Sequence, residues 1–242
     1  MIAAFLWGAL GASALVIGAW IAYTGRPSKR LIAVVMALGT GLLIGSVSFE
    51  LIDEAIENSD PGMVGLMALV GAGVFTLGDW WLARQGGGDR KDPEGAQAEG
   101  QAKAIVFGSV LDGVPESFVL GLSLHEGGVS LALLVGVLLS NLPEGMASSA
   151  GLRTAGWAQG RVMRMWLLVV VAAAVSAALG YVLLDPMTGA TGALVQSFAA
   201  GALLAMVANT LLPEAFEVEG IFTGSLVVAG FAVSIMLSNI QA

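Results

Sequence analysis

The chain reads as an all-α polytopic integral membrane protein with eight transmembrane helices. Three observations predict this. Hydrophobic residues make up 57% of the 242 residues and charged residues only 12%. That is about half the ~25% charge of an ordinary soluble domain, too little to build a water-facing shell. Eight stretches each supply the roughly 20 apolar residues needed to cross about 30 Å of hydrocarbon. The ten lysines and arginines all fall in or beside alternate loops, as the positive-inside rule requires. The expectation is one membrane domain over 1–242.

In chain order, the first span covers about 3–23. It lacks a basic leader and a small-residue cleavage site, so it reads as a span and not as a signal peptide. Arg26, Lys29 and Arg30 separate it from span 2, about 31–52, which ends in a cluster of acids: Glu50, Asp53, Glu54, Glu57 and Asp60. Its Gly41 and Gly45 form a small-xxx-small pair, the mark of close helix packing. Span 3, about 63–85, ends at Trp80, Trp81 and Arg84. The Gly-rich segment 86–102 reads as a flexible cytoplasmic loop carrying Arg90 and Lys91, with Lys103 just beyond. Spans 4 and 5, about 104–124 and 129–152, flank a short loop with His125 and Glu126, and so form an antiparallel hairpin. Arg153, Arg161 and Arg164 mark the loop to span 6, about 162–184. Span 7, about 190–212, contains Asn209 and is followed by Glu214, Glu217 and Glu219; span 8 covers about 221–241. Since the basic residues follow odd-numbered spans only, both termini are expected outside the cytoplasm, in a plasma (inner) membrane protein. Trp20, Trp80, Trp81, Trp157 and Trp166 fall near the expected inner ends, where an aromatic belt belongs.

Ionisable groups at membrane depth are costly and mark functional positions. Asp112 and Glu116 lie at i and i+4 on span 4, and Asn141 and Glu144 at i and i+3 on span 5, so each pair shares a helix face. Asp112 and Asn141 are each about 12 residues from the joining loop, roughly 18 Å of helix, so they are expected to meet. Pro115 and Pro143 cannot donate to the carbonyls of Leu111 and Leu139. Freed carbonyls beside carboxylates make an oxygen-lined cavity suited to a hard or borderline divalent cation. The candidate ligands read from these faces are Asp112, Glu116, Asn141 and Glu144. Glu50, Asp53, His125 and Asn209 are candidate entry or exit residues, since an acidic mouth concentrates cations.

Several classes are excluded. Without cysteine there is no disulfide or thiolate site, and one histidine cannot make an imidazole cluster. The net charge of −8 argues against a nucleic-acid partner. No His-Glu-x-x-His or Gly-x-Ser-x-Gly is present, which disfavours an intramembrane enzyme.

The stretches Asp112-Gly113-Val114-Pro115-Glu116-Ser117 and Ser140-Asn141-Leu142-Pro143-Glu144-Gly145 resemble the paired Pro-Glu motifs of the ZIP family of metal-ion transporters. Ser48 to Ala55 and Leu211-Leu212-Pro213-Glu214-Ala215 add to the likeness, which covers essentially the whole chain. The resemblance implies that Glu116 and Glu144 are primary ligands in a central metal site between kinked helices 4 and 5. Asp112 stands where a histidine is usual and Ser140 where a His or Gln is usual, while Asn141 matches a second-site ligand position. Gly113 replaces the usual asparagine, and Ser176 is the only polar candidate on span 6, so a single site is implied. The expected activity is transport of a divalent cation (Zn, Fe or Mn class) toward the cytoplasm by alternating access. The oxygen-only donors favour a Mn²⁺, Fe²⁺ or Mg²⁺-like preference over strict zinc selectivity. The alternative is a proton-coupled carrier or channel for another small cation. Expected partners are the cation and the lipid bilayer, with a homodimer as an open alternative and no prosthetic group.

Overall fold

A computed structural model describes residues 1–84, 101–124, 128–184 and 189–241. Among these it contains eight helices long and apolar enough to cross a membrane, consistent with a polytopic integral membrane protein. They are α1 (Ile2–Thr24), α2 (Lys29–Asn58), α3 (Pro61–Leu82), α4 (Gln101–Ser123), α5 (Leu131–Thr154), α6 (Gln159–Leu184), α7 (Ala190–Glu219) and α8 (Phe222–Gln241). Most of the 86–102 loop, together with His125, lies outside the described residues.

Local chemistry sets the ends. Ser28 caps α2 by accepting from Leu31 N, Asp60 caps α3 ahead of Pro61, and Ser130 caps α5 by accepting from Leu133 N. Asp60 is therefore a capping residue and not only part of an acidic rim. Gly220 takes a φ of 58° where α7 ends, a conformation natural to glycine. Two helices run further than hydropathy suggests: α2 reaches Asn58 and α7 reaches Glu219. Both contain a π-helical stretch, Val47–Ile52 and Val207–Leu211, a wide turn often found at functional positions.

Pairs of glycines bring the helices together. A Cβ on Gly41 of α2 would lie 1.9 Å from Val227 O of α8, and one on Gly230 of α8 would lie 2.1 Å from Leu38 O of α2. The same reciprocal crossing joins α3 to α7 through Gly71 and Gly201, α1 to α5 through Gly18 and Gly145, and α4 to α6 through Gly121 and Gly180. Only glycine permits such backbone approach. Further packing joins α1 to α6, α2 to α5, and α4 to α7. Exchanging α1 with α6, α2 with α7, α3 with α8 and α4 with α5 leaves this pattern unchanged. The π-helical stretches of α2 and α7 exchange as well, so the molecule is an inverted repeat. Helices α3 and α8 lie outermost, with apolar side chains such as Leu69, Leu77, Val228 and Met236 exposed, while α4 and α5 lie at the centre.

Trp166 departs from the belt expectation. It is fully buried in a cluster with Leu15, Ile105 and Leu152, and its indole N–H donates to Ser149 Oγ at 2.8 Å. A buried partner for the N–H lets the whole ring leave the interface. Trp80 and Trp81 are exposed as expected.

Candidate functional site between the fourth and fifth helices

Helices α4 and α5 run antiparallel but make little direct contact. The first packs mainly on α6, the second on α1 and α2. Two hydroxyl–carboxylate links bridge the space between them. Ser140 Oγ of α5 donates to Glu116 Oε1 of α4 at 2.8 Å. Ser109 Oγ of α4 donates to Glu144 Oε1 of α5 at 2.5 Å. Charge-assisted bonds of this kind are short and strong. All four side chains are buried, as are Asp112 at 2% exposure and Asn141 at 4%.

The helical repeat explains the arrangement. Ser109, Asp112 and Glu116 are spaced i, i+3, i+7 along α4, while Ser140 and Glu144 are one turn apart on α5. Asp112 thus sits on α4 between the two bridges. Pro115 and Pro143 lie inside their helices, each removing one backbone donor beside the carboxylates. The sequence contains no lysine or arginine between Lys103 and Arg153, so neither helix carries a basic residue at this depth.

Two sequence expectations resolve differently. Asn141 does not direct its amide across to Asp112; Nδ2 donates to Gly11 O of α1 at 3.3 Å. Ser176 of α6 donates to Val114 O at 2.9 Å, bracing the backbone of α4 and leaving the carboxylates to α5. Ser109 was not among the sequence candidates, although its position three residues before Asp112 places it on the same face. Among the described residues, no three His, Cys, Asp or Glu side chains converge into a group able to hold a metal ion. The glutamates instead occupy two separate bridges.

The expected entry and exit residues are dispersed. Glu50 lies in the π-helical stretch of α2, with Ser238 Oγ donating to its Oε1 at 3.1 Å. Asp53 is exposed, and the adjacent Glu54 accepts from Gln196 Nε2 of α7 at 3.2 Å. Asn209 is exposed in the π-helical stretch of α7. Further along α7, Glu219 pairs with Arg30 at 3.1 Å. Gly41 and Gly45 serve helix packing, as their spacing predicts. No protein-family model matches this chain, and no curated protein matches it.

Proposed function

We propose that the chain is a carrier for a divalent cation, with its cargo held between α4 and α5. The observation that carries this reading is the pair of buried hydroxyl–carboxylate bridges linking helices that otherwise hardly touch. Two glutamates and Asp112 in a low-dielectric region, with no basic residue of α4 or α5 at their depth, form an electrostatic trap for a cation. Oxygen-only donors suit Mn²⁺, Fe²⁺ or Zn²⁺. Asp112, Glu116, Ser140, Asn141 and Glu144 are the proposed ligands, as the ZIP-like motifs imply.

In the conformation described, each glutamate is occupied by a serine of the facing helix. A cation that gathers both carboxylates must displace the Ser109 hydroxyl, turn that of Ser140 from Glu116 to itself, and draw α4 and α5 together. Binding is thereby coupled to helix movement, which is the requirement for alternating access. The basic loops set the orientation, with both termini outside and transport toward the cytoplasm of a plasma-membrane protein. Division of the carboxylates between two bridges also favours a second reading, a carrier for a different small cation coupled to protons.

Proteoliposomes loaded with a metal-sensitive dye test the proposal. Flux of Mn²⁺, Fe²⁺ or Zn²⁺ is expected in wild type and a loss of at least tenfold in Glu116→Ala and Glu144→Ala. Equal flux in the variants sinks the site assignment. Competition by organic cations with none between metals selects the second reading.

A further inference from the structure

A second polar site lies between α2, α5 and α8, away from the two bridges. Its centre is Glu50, in the π-helical stretch of α2. Ser238 of α8 donates to Oε1 at 3.1 Å. The Ser130 hydroxyl, which caps α5, lies beside the Glu50 carboxylate. The other carboxylate oxygen, Oε2, is buried and meets no hydrogen-bond partner among the described residues.

One turn from Ser238 on the same face of α8, Ser234 is 0% exposed, and its Oγ also lacks a partner among the described residues. The hydroxyl is pressed against α2, since a Cβ on Gly45 would lie 2.5 Å from both Ser234 Cβ and Oγ. Phe49 and Phe231 meet beside it with ring centroids 5.5 Å apart. Two unsatisfied buried oxygens at one helix junction are costly and call for a ligand.

Charge identifies the ligand class. Among the described residues, no lysine or arginine lies near this end of α2, α5 or α8; Arg30 is about 30 Å of helix from Glu50. One carboxylate and three hydroxyls are hard oxygen donors with a total charge of −1. A monovalent cation neutralises them, whereas a divalent ion leaves a net positive charge in a low-dielectric setting. A π-helical turn inside a helix, like the one that carries Glu50, often marks a functional position.

We propose that Glu50, with the hydroxyls of Ser130, Ser234 and Ser238, binds a monovalent metal cation of the sodium class. The site joins three helices at one end of the molecule, and it is independent of what α4 and α5 carry.

The test is thermal unfolding of the purified full chain in detergent, with NaCl replaced by KCl or choline chloride at constant ionic strength. Sodium is expected to raise Tm in a saturable manner. Glu50→Gln should abolish the rise. Ser234→Ala keeps the Ser238–Glu50 hydrogen bond and should raise the half-saturating sodium concentration about tenfold. Glu116→Ala should leave the sodium response intact, which separates this site from the α4/α5 cluster. If Glu50→Gln fails to fold, direct binding of radioactive sodium to wild type and Ser234→Ala decides the matter. The proposal is overturned by a Tm indifferent to sodium, by an identical sodium response in wild type and Ser234→Ala, or by a Tm that follows pH alone, which identifies a proton in place of the metal.

Discussion

Ser109 and Ser140 play the same structural part but differ in proposed chemistry. Each donates to a glutamate of the facing helix, and hydrogen bonds to charged groups contribute roughly 1.5–3 kcal/mol. Alanine at either position should therefore lower Tm by several degrees in the metal-free protein. Their response to cation should diverge. Ser109 competes with a cation for Glu144, so Ser109→Ala should enlarge the Mn²⁺-induced rise in Tm. Ser140 is itself a proposed ligand, so Ser140→Ala should not. Identical responses would remove Ser140 from the ligand set. The carboxylates themselves were legible in the sequence because charge at membrane depth is rare and their spacing fixes a common face. Their serine partners were not. Serine and threonine in membrane helices often bond their own backbone, as Thr40 does to Met36 O, Ser46 to Leu42 O and Ser197 to Ala193 O. Composition and spacing do not distinguish these from hydroxyls that reach across. Asn141 shows the same limit: its helix face follows from the register, but its turn toward Gly11 depends on how closely α1 approaches.

At the scale of the helix, hydropathy finds all eight elements because each must match the hydrocarbon thickness. It misplaces the ends of α2 and α7, where acidic residues interrupt the apolar run but the backbone hydrogen bonding continues. The π-helical stretches carry no proline or glycine signal, so nothing in the sequence announces them. Glycine is more informative, though its frequency does not say which residues form crossings. Gly41 and Gly201 each face a neighbouring carbonyl at 1.9 Å from a would-be Cβ, whereas around Gly73 nothing lies within 4 Å. Gly41→Ala and Gly201→Ala should each destabilise by about 1–3 kcal/mol, the usual cost of overpacking. Gly73→Ala should be neutral or stabilising by up to ~1 kcal/mol through helix propensity. Detergent melting of the three variants checks this, and equal losses would contradict the crossings.

For the molecule as a whole, the exchange of α1–α3 with α6–α8 makes its two ends alike in helix packing. Sequence hints at this only where Leu51-Ile52-Asp53-Glu54-Ala55 echoes Leu211-Leu212-Pro213-Glu214-Ala215. Charge breaks the equivalence. At one end Arg84 lies 3.7 Å over the Trp80 ring and Arg161 lies 3.5 Å over the Trp157 ring, while Arg153 donates to Ala22 O. These cations hold indole rings and helix ends, and the opposite end has no basic counterpart in the sequence. The positive-inside rule therefore predicts an orientation set by charge and not by packing. Because the chain contains no cysteine, single cysteines can be introduced without removing any. Ala158→Cys, in the turn between α5 and α6, should react with a membrane-impermeant maleimide only after cells are permeabilised. Asn58→Cys, exposed at the far end of α2, should react in intact cells. Labelling of both from the same side would break the eight-span threading, and the reverse pattern would invert the proposed direction of transport.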